Sequence, residues 1–391
     1  MLTPLPMATA ATCGGKAAAL ATLLAAGLPV PDGVVLPFSA QSAALGAAES
    51  AGVLRRELTA ALTAMGDPPV AVRSSAAHED TAEASAAGQY ESVLGVRGTA
   101  AVEAAVRRCW AAASRAQVAE YWRDLTGDPL AAPEIAVIIQ RMVAADASGV
   151  MFTPMAAGAP TRIEASWGLG PAVVGGTVTP DTWEVGVDGS THCVLGQKSS
   201  RVDTDPDQHG LRTAAVPAHQ QHASAIDEHM ATTLARLGQR AATVLGGPQD
   251  LEWAIAAGHV WLLQSRPITA PVPELPSADP PADTEQLSGT PGAHGRHTGP
   301  ARVLRSAAEL DRLQPGDVVV CPYTDPSWTP AFRIAGGIVT ETGGVLSHAA
   351  IVAREHRLPA VLGVAHATTA IPDGCTLTID GSHGTITLPP R

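Results

Sequence analysis

Around position 340 the sequence reads IVTETGGVLSHAAIVARE: an apolar strand pattern, paired glycines, then Ser347 and His348 ahead of a helical pattern. Ser347 stands where an N-cap is expected, which puts His348 in the first helical turn. The positive end of a helix disfavours imidazolium, so a histidine there stays a neutral nucleophile near pH 7. A phosphoryl group on that ring would lie beside free N–H groups that favour it. The alternative is a polar surface histidine that merely starts a helix.

A second stretch, DLEWAIAAGHVWLLQSRP over 250–267, has the pattern of an antiparallel hairpin turning near Ala257–Gly258. In that hairpin Glu252 and Gln264 face each other across two strands, and Gln264 shares a strand face with Arg266. A carboxylate, an amide oxygen and a guanidinium converging there suit Mg²⁺ bridging phosphates, with the arginine neutralising developing charge. An ordinary hairpin salt bridge is the competing reading. Cys13-Gly14-Gly15-Lys16 lets the backbone approach a ligand and offers a point charge for phosphate. It lacks the P-loop pattern, and a plain helix start accounts for it as well. In VAVRSSAAHED, Arg73 is expected at a strand end with the hydroxyls of Ser74 and Ser75, and Gly88 follows in AGQYES. A surface strand closing in a polar turn would read the same way.

The elements that must position these residues alternate. Strands are expected at 30–36, 70–73, 135–143, 148–152, 182–187 and 259–263, and helices at 16–27, 50–65, 100–124 and 225–245. Beyond them come short strands at 317–321, 337–340, 360–362, 376–380 and 384–388, with a helix from about 348. The fold class is mixed α/β. The stretch 270–286 carries five prolines and no long apolar run, a composition for an extended, semi-rigid spacer. Three segments follow: a body over 1–270, a linker over 271–286 and a smaller unit over 287–391. A softer loop is expected near 203–222.

Composition narrows the partners. With 46% hydrophobic residues the chain can bury cores. Lys plus Arg number 25 against 37 Asp plus Glu, a net charge of −12, which argues against non-specific nucleic-acid or acidic-membrane binding. Phosphate must then be handled by a few placed cations and backbone N–H groups. The five cysteines (Cys13, Cys109, Cys193, Cys321, Cys375) are scattered, with no CxxC pair and no zinc spacing. Neither a membrane span nor a signal-peptide start is read in the chain, so a cytoplasmic location is expected.

Taken together, these motifs resemble the phosphohistidine dikinases, the family of phosphoenolpyruvate synthase, pyruvate phosphate dikinase and rifampin phosphotransferase. GGKAAALATLLAAGLPVPDGVVL, VAVRSSAAHEDTAEASAAGQYESVLGV, IIQRMVAADASGVMFTP, IEASWGLGPAVVGGTVTPD and DLEWAIAAGHVWLLQSRPIT look like the family's ATP-grasp nucleotide domain. PYTDPSWTPAFRIAGGIVTETGGVLSHAAIVARE looks like its small swivelling β/β/α phosphohistidine domain. The resemblance implies that Lys16 and Arg73 hold ATP phosphates. It places Gly88 and Ser92 at the phosphate loop, although Thr is commoner at the place of Ser92, and Gln140 near the adenine or hinge. It makes Glu252 and Gln264 the Mg²⁺ ligands and Arg266 a clamp on the transferring phosphate. His348 would take the β-phosphoryl group and pass it to a small-molecule acceptor, yielding AMP and phosphate. Leu346 stands where many relatives have Thr. A large acceptor domain is not recognised in the chain. The acceptor would then be bound by a separate protein, by the interface of the two units or by a homodimer partner. An ATP-driven condensing or ligating enzyme, and a phosphocarrier subunit of a split dikinase, are the other outcomes that the same motifs allow.

Overall fold

The computed structural model describes residues 2–41, 48–77, 92–112, 134–205, 210–268 and 286–389. Gly88, the C-terminal part of the helix expected over 100–124, and all of the 271–286 stretch except Gln286 lie outside these residues.

The chain opens with β1 (Thr3–Pro4) and α1 (Ala10–Ala25). Gly14 interrupts α1 with φ of 80° and ψ of 170°, a conformation open to glycine, so the regular helix that carries Lys16 effectively starts after it. Next come β2 (Gly33–Leu36), α2 (Ala48–Ala64), β3 (Val70–Ala76), β4 (Ser92–Val96), α3 (Thr99–Ala112) and β5 (Ile135–Arg141). The five strands form one sheet in the order β1-β2-β5-β3-β4. The apolar faces of α2 and α3 cover one side of it, burying Leu54, Leu58, Val102 and Val106 against Val72, Val137 and Ile139.

A second sheet follows from β6 (Ala147–Phe152), β7 (Thr161–Trp167), β8 (Asp181–Val185), β9 (Thr191–Val194), β12 (Gln249–Ala256) and β13 (His259–Pro267). Its order is β13-β12-β6-β7-β8-β9. One face packs on α1 and on α4 (Glu228–Leu245), with Leu20, Leu23, Leu234, Met151, Ile163 and Trp253 in the shared core. Asp227 caps α4 by accepting the Met230 N–H, and the helix closes at Gly246, as its pattern predicts.

Two expectations need correction here. The loop expected near 203–222 contains regular structure: β10 (Ser200–Thr204) and β11 (Leu211–Ala215) pair antiparallel as a separate two-stranded sheet. Its strands are half-buried or exposed along their length, so no apolar alternation marks them. The strand expected over 70–73 runs on to Ala76, which puts Arg73 in mid-strand and buries Ser74 and Ser75. Ser75 Oγ accepts the Ala17 N–H at 3.3 Å, so that hydroxyl serves α1 packing.

The remaining strands are β14 (Gln286–Ser288), β15 (Thr290–Ala293), β16 (Arg296–Val303), β17 (Val318–Cys321), β18 (Gly337–Thr340), β19 (Ala360–Leu362), β20 (Thr376–Asp380) and β21 (Thr385–Thr387). They make one sheet in the order β14-β21-β20-β16-β17-β18-β19-β15, parallel from β16 to β19 and antiparallel elsewhere. Helix α5 (His348–Glu355) packs on it through Ala349, Ala350, Val352 and Ala353.

Candidate functional site

The hairpin β12–β13 turns where the sequence predicts, but its register changes part-way along. Ala257 and Gly258 both adopt positive φ (48° and 76°), the two-residue turn geometry that matches strand twist. Counted from that turn, Trp253 pairs with Leu262, and the same register would set Glu252 opposite Leu263. A β-bulge between Glu252 and Trp253 shifts the register by one residue, and beyond it Glu252 pairs with Gln264 and Asp250 with Arg266.

A cleft of about 410 Å³ opens between the two sheets of the body. Arg73, Ser92, Gln140, Glu252 and Gln264 all line it, beside apolar Leu94, Met142, Val143 and Leu169. Arg73 is fixed on both sides: Nη1 donates to the Leu263 carbonyl at 2.9 Å, and Nη2 lies 3.6 Å from Glu252 Oε2. Gln140 is buried and donates its amide to the Pro31 carbonyl at 3.1 Å. Lys16 and Arg266 are not among the lining residues. The donor set suits a hard cation: one carboxylate and one amide oxygen side by side at the cleft wall. Among the described residues no group of three or more His, Cys, Asp or Glu could hold a metal. A cation here would take its other ligands from phosphate and water.

His348 is 6% exposed, the first residue of α5. Its Nδ1 lies 3.1 Å from Thr324 Oγ1, and Phe332 meets the ring edge-on with centroids 6.1 Å apart. With Nδ1 engaged by that hydroxyl, Nε2 is left buried with no hydrogen-bond partner. Burial is the main reason that the imidazole pKa falls to about 4; Arg266 lowers it further and Asp325 opposes the fall. The ring is neutral at pH 7, as expected, but the dominant cause is desolvation and not the helix end. Ser347 is the N-cap residue, yet its side chain makes no capping bond and its Oγ is buried without a partner.

Arg266 lies within electrostatic reach of His348. Arg266 is two residues along β13 from Gln264, and its Nε donates to Asp250 Oδ2 at 2.7 Å. The loop before α5 is seated on the body: Gly343 N–H donates to Val178 O at 3.1 Å and Thr342 Oγ1 to Gly176 O at 2.6 Å. Val345 and Leu346 pack with Val150, Phe152 and Val173 of the body. Leu346 thus supplies apolar contact to the body.

Residues 43–285 match the family model described as pyruvate phosphate dikinase, AMP/ATP-binding domain, and 313–384 match that of the PEP-utilising enzyme, mobile domain. The chain belongs to the phosphohistidine dikinase family. Its dikinase-type relatives include a probable phosphoenolpyruvate synthase of Methanothermobacter thermautotrophicus, 38% identical over 82% of this chain and 47% of that protein. The phosphoenolpyruvate synthase of Pyrococcus furiosus is 36% identical over 81% of this chain and 40% of its own length. That of Escherichia coli is 34% identical over 80% and 42%. The chain spans about half the length of the curated relatives it matches. Its architecture is that of the family: an ATP-grasp nucleotide-binding fold with a β/β/α phosphohistidine fold. No helix among the described residues is long and apolar enough to cross a membrane.

Three residues of the site escaped sequence reading: Thr324, Asp250 and Glu164. Thr324 and Asp250 follow no motif that reveals their partners. Glu164 was visible as the one charge within IEASW, an otherwise apolar strand run.

Proposed function

We propose that the chain is an ATP-dependent phosphotransferase of dikinase type, working through phospho-His348. The observation that carries this reading is the state of His348: a neutral imidazole with one nitrogen tied to Thr324 and the other unpartnered, in the field of an arginine beside the Glu252–Gln264 pair. In the forward step the Nε2 lone pair attacks the β-phosphorus of ATP. The bond from that phosphorus to the α–β bridging oxygen breaks and AMP departs, leaving a pyrophosphoryl group on Nε2. Water then attacks the γ-phosphorus, the β–γ bridging bond breaks, and phosphate leaves with the β-phosphoryl group retained on the histidine. Arg73 and Lys16 hold ATP phosphates, Gly88 and Ser92 border them, and Gln140 lies toward the adenine. Arg266, steered by Asp250, offsets the charge that develops on the transferring group. Mg²⁺ held by Glu252 and Gln264 would supply charge neutralisation for the phosphates.

The division into a body over 1–270, a linker over 271–286 and a mobile unit over 287–391 belongs to this reading. The proline-rich stretch lets the small unit carry the phosphoryl group to a second site. The relatives' names make pyruvate the first small-molecule acceptor to test, supplied alone and with a candidate acceptor protein. The cytoplasm, where ATP is held, is the compartment that fits.

The test is labelling. β-³²P-ATP should give an acid-labile, base-stable adduct on the chain and γ-³²P-ATP should not. His348→Ala should abolish the adduct with nucleotide binding largely retained. Equal labelling from both positions, or an unchanged adduct in the variant, defeats the reading.

A further inference from the structure

One carboxylate lies outside this chemistry and meets the loop that leads to His348. Glu164 is fully buried on β7. Across the sheet, Gln264, Glu252, Val150, Glu164 and Thr182 are successive register partners and so share one face. Glu164 is thus held two strands, about 10 Å, from Glu252 on the same rigid surface. The surface is covered by the loop that precedes His348. Glu164 Oε2 accepts the Leu346 N–H at 3.2 Å, and the Val345 N–H also faces the carboxylate. The carbonyl of the same Val345–Leu346 peptide accepts from Arg354 Nη1 at 2.7 Å. One peptide plane, two residues ahead of His348, is therefore gripped by α5 at its oxygen and by the body at its nitrogen. Gly344 completes the fit, since a Cβ there would lie 2.2 Å from Glu164 Oε1.

We propose that Glu164 is a positioning residue for phosphoryl loading, a latch that captures the 343–347 loop through the Leu346 N–H and holds His348 on the nucleotide side. This rests on the role of His348 proposed above. The latch is also proton-linked. Burial under the docked loop is the main reason that the Glu164 pKa rises to about 7, with Arg162, Arg354 and the two backbone N–H groups opposing it. When the small unit swings away, the carboxyl returns to water and to its ordinary range. Docking then takes up a proton, so it strengthens as pH falls through 7 toward the ordinary carboxyl value.

The neighbouring charges are few. Arg162 on the same strand pairs with Glu184 of β8 at 2.6 Å, and Arg354 comes from α5, where Asp250 of β12 and Arg266 of β13 act on it in turn. The register partner Val150 and the loop 343–347 carry no charge, and Arg201 and Asp203 of β10 pair with each other. Helix α4 packs against the opposite face of β7. His348 itself gives an opposite slope wherever docking buries it, so the effect of Glu164 is read as a difference between variant and wild type.

The experiment is hydrogen exchange of the 343–350 segment in the full chain, corrected for intrinsic rates from pH 5 to 7.5, alongside phosphohistidine formation by mass. Glu164→Ala should lower loop protection and His348 phosphorylation at least about tenfold, with ADP affinity unchanged as the check on folding. Glu164→Gln, a neutral isostere that keeps an acceptor oxygen, should preserve phosphorylation. Its loop protection relative to wild type should rise by at least about tenfold across that pH range. Wild-type exchange in Glu164→Ala, or a ratio for Glu164→Gln that does not change with pH, would overturn the latch. Absence of phosphohistidine in the wild-type chain would remove the role of His348 alone, and the exchange data would still decide on the latch.

Discussion

Gly344→Ala tests the fit between loop and body with a single methyl group. The φ of Gly344 lies outside the left-handed region, so alanine carries no backbone penalty there, and any effect must come from contact. The new Cβ would lie 2.2 Å from Glu164 Oε1 and 2.5 Å from its Cδ, against an ordinary contact that begins at 3.4 Å. To relieve this the loop must retreat by about 1.2 Å, because Glu164 is fixed in the middle of a sheet and cannot yield far. The Leu346 N–H to Glu164 bond, already 3.2 Å, would then pass out of hydrogen-bonding range. A hydrogen bond to a charged group contributes about 1.5–3 kcal/mol, so the docked population should fall roughly 10- to 100-fold. Exchange protection of 343–350 and single-turnover phosphorylation of His348 should fall together by that factor, with ADP binding unchanged. The double variant Gly344→Ala/Glu164→Ala opens space for the methyl and should be no worse than Glu164→Ala alone, a clear departure from additivity. Wild-type protection in Gly344→Ala, or full additivity in the double variant, refutes the reasoning.

Three further outcomes follow from the same geometry. Glu252→Ala and Gln264→Ala should each slow phosphorylation by about 10²-fold and move the Mg²⁺ titration to higher concentration, with Mg²⁺-free ADP binding little changed; an unmoved Mg²⁺ curve would count against the ligand assignment. Because His348 titrates near 4 when buried and near 6.5 when exposed, the unfolded chain binds a proton that the native one refuses. Its contribution should therefore lower stability as pH falls from 6.5 toward 4, by up to roughly 3 kcal/mol, and urea unfolding of His348→Gln should lose that part of the slope. Lys198 and Asp181 form a fully buried ion pair, so Lys198→Met should cost about 3–5 kcal/mol in unfolding experiments, and Asp181→Asn in the same chain should recover part of it.

Much of the positioning was legible because it is local. The two-residue turn at Ala257–Gly258 sets the pairings from Ala256–His259 to Trp253–Leu262. The bulge then slips the register by one residue, so the facing of Glu252 and Gln264 expected from the motif is delivered by the bulge, and the Asp250–Arg266 pair was not read. The helix expected over 225–245 announced itself through its apolar pattern and its terminal glycines, whereas its start at Glu228, behind the Asp227 cap, was not read. The β10–β11 pair did not announce itself, because a strand pair with no buried face leaves no alternation to read. The serines after Arg73 misled for the opposite reason. Two hydroxyls look like the start of a turn, but here they are buried, and Ser75 accepts a bond from α1.

His348 and Glu164 mark where local reading ends. The prediction of a neutral histidine was correct, but its cause is tertiary: the ring is desolvated by packing, and Arg266 acts on it from a strand distant in sequence. Glu164 goes further, since its partner lies 182 residues away. A carboxylate in an apolar strand is costly to bury unless a donor meets it, so its presence alone signals a partner without naming one. The register supplies the rest. A sheet face that holds Glu252 and Gln264 toward the cleft must present Glu164 in the same direction two strands on, where the loop ahead of His348 has N–H groups and a glycine to receive it. The spacing between the nucleotide-side pair and the latch is therefore a property of β-sheet geometry.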